Sequence, residues 1–246
     1  MQLSLTNTRL CGVWFHKGMP TGTYNAEGIT AVADALRVNS SLTSLDLSNN
    51  ALCGVQLTFG SDTGTYTAEG ITAIADALRV NGGLTALDLS YNYLEDEGVS
   101  AVCEAIQSNK ETKLSSLNMR ANSIGPVGAK SVAAMVAVTG GLTKISLANN
   151  KLGEEGTKAI CEALEQNKTL KELDISGDRY GNSNIGGTAG AKHVAKMLGV
   201  NGGLTSLDLS NNALCGVTPY GGTYTAEGIT AIADSLRVNG VLTKIE

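Results

Sequence analysis

The chain has 246 residues, 42% of them apolar, with a formal net charge of −5. That is enough apolar material for a buried core, and an acidic balance without a Lys/Arg cluster argues against nucleic acid as a partner. No apolar run approaches the roughly 18 residues of a membrane-spanning helix, so no membrane insertion is expected. The opening MQLSLTNTRL lacks the basic flank and apolar stretch of a signal peptide.

In chain order, Leu3 and Leu5 alternate with polar residues, as a strand with one buried face does. The pattern returns in full as L-x-x-L-x-L at Leu42, Leu84, Leu114, Leu142, Leu170 and Leu204, and a seventh copy opens at Leu242. Successive starts are 42, 30, 28, 28, 34 and 38 residues apart, so the unit is 28 residues and the longer copies carry insertions. We expect one domain over 1–246, with six full repeats and a partial repeat at each end. A single unit cannot bury its apolar face, so only stacking makes a core.

Within a unit, Leu45 and Leu47, or Leu207 and Leu209, form the strand. Asn49, Asn92, Asn122, Asn149 and Asn211 follow and are expected to be buried, bonding the turns of adjacent repeats. Gly177 stands at that place in the fifth unit, which predicts a break in the ladder there. A helix comes next. Ile71, Ile74, Ala75 and Leu78 lie at i, i+3, i+4 and i+7, a stripe repeated by Val99, Val102, Cys103 and Ile106 and by Thr157, Ile160, Cys161 and Leu164. Thr67 or Thr225 is placed to cap the helix, with Glu69 or Glu227 in its positive first turn. Asn81-Gly82 and Asn201-Gly202 are expected to end it in left-handed geometry. Parallel strands inside and wider helices outside predict an α/β horseshoe.

The string Leu-Thr-Ser-Leu-Asp-Leu-Ser-Asn-Asn-Ala-Leu, followed by a Gly-led helix, resembles the ribonuclease-inhibitor type of leucine-rich repeat. That type occurs in ribonuclease inhibitor, Ran GTPase-activating proteins and NOD-like receptors. The resemblance covers essentially the whole chain and implies the solenoid fold. It implies no single function, because those relatives bind unrelated partners.

No catalytic set or cofactor site stands out. Cys11, Cys53 and Cys215 recur in one Leu-Cys-Gly-Val string, and Cys103 and Cys161 alternate with alanine in other copies. They read as small buried hydrophobes in a reducing, cytoplasmic compartment. His16 and His193 fall in different repeats without metal-ligand spacing, and His193 reads as a surface residue on a helix flank. Gly125-Pro126-Val127-Gly128-Ala129-Lys130-Ser131 is not a phosphate loop, because Ala129 separates the glycine from the lysine. The sequons at Asn39 and Asn167 sit in helix-to-strand turns and read as chance products of a polar turn.

Two surfaces are candidates for a protein partner. The strand residues between the leucines, Asp46, Asp88, Asn118, Ser146, Asp174 and Asp208, form an acidic column flanked by Arg120, Lys144 and Glu172. It is either a lure for a basic partner or the repeat's usual wording. The aromatics Trp14, Phe15, Tyr24, Phe59, Tyr66, Tyr91, Tyr93, Tyr180, Tyr220 and Tyr224 all lie between a strand's end and the next helix. Four of those segments are enlarged, at about 11–27, 53–69, 177–189 and 215–227. Aromatic loops on a rigid scaffold are the usual anatomy of a binding edge. Equally, Tyr24, Tyr66 and Tyr224 sit in near-identical Gly-Thr-Tyr strings and would then plug the insertions against the stack. The expected function is a non-catalytic interaction module. A Ran-type GTPase activator and a structural subunit are the alternatives, although the acidic tail and functional positions of the activators are not matched. Leu3, Leu5 and Leu10 at one end, and the strand at Leu242–246 at the other, predict either a longer array or capping by a neighbouring subunit.

Overall fold

The computed structural model describes residues 1–16, 19–58, 61–178 and 180–246, with the side chains of 14–16, 19–20, 56–58 and 61–63 left aside. The chain divides into two compact units, Met1–Asn122 and Ser123–Glu246. The first runs β1 (Gln2–Ser4), β2 (Trp14–His16), β3 (Met19–Thr21), α1 (Glu27–Val38), β4 (Ser44–Asp46), β5 (Gln56–Thr58), β6 (Ser61–Thr63), α2 (Glu69–Leu78), β7 (Ala86–Asp88), α3 (Glu95–Ser108) and β8 (Ser116–Asn118). The second runs α4 (Pro126–Val138), β9 (Lys144–Ser146), α5 (Gly153–Glu165), β10 (Glu172–Asp174), α6 (Gly187–Leu198), β11 (Ser206–Asp208), α7 (Glu227–Leu236) and β12 (Lys244–Ile245).

Both units are α/β, as expected. In the first, β1, β4, β7 and β8 pair in parallel, with Leu3, Leu45, Leu87 and Leu117 in register. In the second, β9, β10, β11 and β12 do the same through Ile145, Leu173, Leu207 and Ile245. One residue per strand faces inward, and Leu45, Leu87, Leu117, Ile145, Leu173 and Leu207 are all buried. The predicted helical stripes of α2, α3 and α5 are likewise buried. Consecutive helices pack side by side, α1 on α2 on α3 and α4 on α5 on α6 on α7. This is the stacking that lets so short a strand close a core.

The asparagine ladder is shifted by one residue in three repeats. Asn50, Asn92, Asn122, Asn150 and Asn212 are buried, whereas Asn49 and Asn211 are exposed and Asn149 is half-buried. Asn49, Asn149 and Asn211 instead take left-handed backbone, with φ of 56°, 52° and 59°. Asparagine tolerates that conformation, which is why the residue type recurs there without burial. Asn92 shows the ladder's function: its Oδ1 accepts the Asn50 N–H at 2.9 Å, and its Nδ2 donates to Leu47 O and Leu89 O at 3.0 Å. The expected break at Gly177 does not occur. Asn184, seven residues further on inside the insertion, donates to Leu147 O and Ile175 O, and its N–H reaches Asn212 Oδ1 at 2.8 Å. Gly177 allows the return, since a Cβ there would collide with Asn211 O and lie 2.6 Å from Asn182 O.

The helix ends also differ from expectation. Gly82 and Gly202 are not left-handed. The closing groups are the side chains of Asn81 and Asn201. Asn81 Nδ2 donates to Leu36 O and Asn39 O of the preceding repeat, and its Oδ1 accepts from Gly83 and Leu84 N–H. Asn201 does the same toward Leu164 O and Asn167 O, and Asn109 and Asn239 repeat it. A second asparagine ladder therefore ties the helix C-termini, satisfying carbonyls that a helix leaves open. It also accounts for the two sequons, since Asn39 and Asn167 belong to it through Oδ1 bonds to the following turn. At the N-termini, Ala68 and Ala226 hold the cap position, and Thr67 and Thr225 stand one residue outside it. Each threonine Oγ1 still accepts one N–H, from Glu69 or Glu227, at 3.3 Å. Residues 126–131 lie inside α4, with Pro126 in its first turn, as an ordinary repeat helix requires.

Candidate functional site

The enlarged loops carry structure that their composition did not announce. In the first unit, β2 pairs antiparallel with β3, β5 pairs with β6, and β3 lies beside β5. In the second, the insertion near 181 lies against the one near 219, where a Cβ on Gly181 would come within 2.7 Å of Pro219. Each unit thus gathers its insertions on one edge. No hairpin dipeptide such as Asn-Gly marks β2–β3 or β5–β6, which is why the sequence reads only as loop.

The aromatics separate into two groups. Tyr24 Oη donates to Leu52 O at 3.0 Å and accepts the Gly70 N–H at 3.1 Å. Tyr66 Oη repeats the first bond, to Leu94 O at 3.0 Å. Burial, with nearby cysteine and glutamate groups, pushes both hydroxyls well above the ordinary tyrosine range. These two staple an insertion to the next repeat. The others face solvent: Tyr91 is 47% exposed, Tyr180 54%, Tyr220 76% and Tyr224 69%. Tyr91 Oη accepts from Arg120 Nε at 3.1 Å, and Tyr93 is half-buried. Trp14, Phe15 and His16 fall in β2, whose side chains are set aside, and Phe59 lies outside the described residues.

The acidic column is present, but its carboxylates serve the fold. Asp46, Asp88 and Asn118 are in register in the first unit, and Ser146, Asp174 and Asp208 in the second. Asp46, Asp88, Asp174 and Asp208 each accept the backbone N–H two residues on, at 2.8–3.1 Å, which turns the chain at the strand's end. Their second oxygens reach sideways, Asp88 to Asn118 Nδ2 at 2.8 Å and Asp174 to Ser146 Oγ at 2.8 Å. Partial burial opposes charge on Asp46, but bonds from Thr6, Ser48 and Ser4 outweigh it and hold the carboxyl below its ordinary value. Lys144 pairs with Glu172 at 2.8 Å, so the flanking charges are also internally matched.

Cys11, Cys53, Cys103 and Cys161 are free and buried, and Cys215 is half-buried. Burial first, then nearby glutamates, raises the Cys11 and Cys161 thiols to about 12. Burial likewise takes Cys53 to about 12 and lifts Cys103 still further. None of these four is poised as a nucleophile. His193 is not fully on the surface: its ring is 27% exposed and lies 3.6 Å from Glu154. Among the described residues, no cluster of metal-ligating side chains is found, and no helix is long and apolar enough to cross a membrane.

A strand, an asparagine-stapled turn and a helix recur at a 28-residue unit, and the leucine-rich-repeat family matches residues 38–52, 84–103, 110–133 and 203–221. The chain is a leucine-rich-repeat protein. Its repeats are of the ribonuclease-inhibitor-like type, an α-helix lying between each parallel strand and the next. Solved leucine-rich-repeat structures resemble it at low identity. The leucine-rich repeat-containing protein LegL7 from Legionella pneumophila aligns with a TM-score of 0.52 and 16% identity, covering 98% of this chain and 72% of that one. The tropomodulin C-terminal domain from Caenorhabditis elegans gives 0.50 and 16%, covering 69% and 90%. The leiomodin-1 actin-binding site 2 gives 0.44 and 21%, covering 53% and 71%. At these identities the likeness concerns the fold alone. Comparison with curated protein sequences finds no match.

Proposed function

We propose that this leucine-rich-repeat chain is a non-catalytic protein-binding module whose loop edge, more than its strand face, carries the partner. The observation behind this is the aromatic area left exposed to solvent. Tyr180 and Tyr220 are more than half exposed on insertions that lie against each other. The strand-face aspartates, in comparison, spend their oxygens on internal bonds. Exposed tyrosine on a rigid support offers contact area at low entropic cost. Buried free thiols support a reducing compartment, and a cytoplasmic location is part of the proposal.

The test compares partner capture by three forms: the unaltered chain, Tyr180→Ala with Tyr220→Ala, and Lys144→Ala with Glu172→Ala on the strand face. Proteins recovered by cross-linking with the first are titrated against all three. The aromatic pair is expected to weaken binding at least tenfold and the strand-face pair less than threefold. The reverse ranking, or a partner indifferent to the tyrosines, rejects the loop-edge reading.

A further inference from the structure

The repeat that opens at Leu84 departs from the others just past its strand. Asn7, Asn49, Asn149 and Asn211 hold the first left-handed position there, a residue type that accepts such backbone readily. In this repeat it is Tyr91, with φ of 58°. Two residues on, where Ala51, Ser123 and Ala213 stand in other copies, Tyr93 is left-handed as well, with φ of 53°. A bulky side chain strains that conformation, and strain that persists points to function.

The next repeat departs at a position that touches this one. Two residues past the ends of β4, β7, β10 and β11 stand Ser48, Ser90, Ser176 and Ser210, but past β8 stands Arg120. Its Nε donates to Tyr91 Oη at 3.1 Å, so the two unusual residues are bonded to each other. Both flank β7, which is paired on each side, with β4 and with β8. The guanidinium lies beside an acidic column, yet among the described residues it has no carboxylate partner and its terminal nitrogens have no bond. Asp88, on the adjacent strand, has both oxygens engaged by Ser90 and Asn118. The Tyr91 ring beside this cation is 47% exposed, and Arg120 is half-buried.

We propose that Tyr91 and Arg120 form a contact site for a protein segment bearing a single carboxylate. The Arg120 terminal nitrogens bond the carboxylate, and the Tyr91 ring packs on the segment beside it. A planar guanidinium fits a carboxylate through two parallel bonds, and the bond to Tyr91 Oη holds it from the Nε side. Asp46 and Asp88 share the face and disfavour a run of acids. The occupant is therefore one Asp or Glu set among neutral or basic residues. This goes beyond the loop-edge reading, which stands on Tyr180 and Tyr220.

A peptide array probed with the full chain tests it. Each short peptide carries one Glu at the centre of neutral or basic residues and is paired with its Gln counterpart. Peptides that retain the chain are then titrated by fluorescence anisotropy. The unaltered chain is expected to bind a subset of the Glu peptides about tenfold more tightly than the Gln forms. Arg120→Ser and Tyr91→Asn restore the residues of other repeats, so the fold should persist, with Tyr91→Asn melting no lower than the unaltered chain. Arg120→Ser should abolish the preference for Glu, and Tyr91→Asn should weaken binding at least threefold. Should either disturb folding, Arg120→Lys gives the second reading: it keeps the charge without the two-bond geometry and should lose most of the preference. Tyr180→Ala with Tyr220→Ala should leave these affinities within twofold. An array without a Glu preference overturns the proposal, as do variants that bind like the unaltered chain or a loss confined to the Tyr180 and Tyr220 form.

Discussion

Single side chains show where polar groups support the fold. By position alone, Asp88 faces solvent beside buried Leu87 and would be dispensable. In the structure its carboxylate accepts the Ser90 N–H at 2.8 Å, Ser90 Oγ at 2.6 Å and Asn118 Nδ2 at 2.8 Å. Asp88→Ala should therefore cost about 1–2 kcal/mol in a denaturant melt, against several for Leu87→Asp, which buries an unpaired charge. A loss below about 0.5 kcal/mol, the usual range for an unengaged surface residue, would mean those bonds contribute nothing. Asp46 adds a pH signature. Its carboxyl is held below the ordinary value of 3.8, so its stabilisation is present above that pH and disappears as pH falls through the folded value. Asp46→Asn should then melt below the unaltered chain at neutral pH, with the gap closing under acid. Thr157 is the opposite case. Its Oγ1 is buried without a hydrogen-bond partner where other repeats carry Ile71 or Val99. Thr157→Val keeps the shape and should stabilise by about 1 kcal/mol.

At the scale of the element, the strand and helix stripes were legible because periods of 2 and 3.6 mark them directly. What the sequence hid was which of two adjacent asparagines is inside. In Asn49-Asn50 and Asn149-Asn150 the first takes left-handed backbone and the second enters the core, and side-chain chemistry is the same for both. Only the count from the leucines, fixed by Asn92 and Asn122, distinguishes them. The C-terminal ladder was hidden for a related reason: Asn-Gly is a strong turn signal, and it drew attention from the asparagine's side chain to the glycine's backbone. The fifth repeat was hidden by its insertion, since Asn184 is near the ladder only in space. Asn92→Ala tests the assignment. It strands the Asn50 N–H and takes one of two donors from each of the Leu47 and Leu89 carbonyls, which keep Asn50 Nδ2 and Asn122 Nδ2, and should cost about 2–3 kcal/mol. Asn49→Ala loses only an eased left-handed turn, at about 1 kcal/mol. Equal losses would return the ladder to Asn49.

At the scale of the molecule, a stack whose repeats touch only their neighbours opens first where its packing is least complete. The cysteines report on this because they are distributed along the chain. Cys11, Cys53, Cys103 and Cys161 are buried, and Cys215 is only half-buried. Burial holds the enclosed thiols at about 12 or beyond, so at pH 8 almost none is thiolate while folded. Reaction with a thiol reagent must then go through local opening, and its rate measures the free energy of that opening. Cys215 should label first and the four buried thiols later, at the rate of global unfolding, with the order read by mass spectrometry of timed digests. If Cys215 labels as slowly as Cys103, its repeat does not open locally, and stability is shared along the stack more evenly than nearest-neighbour coupling allows.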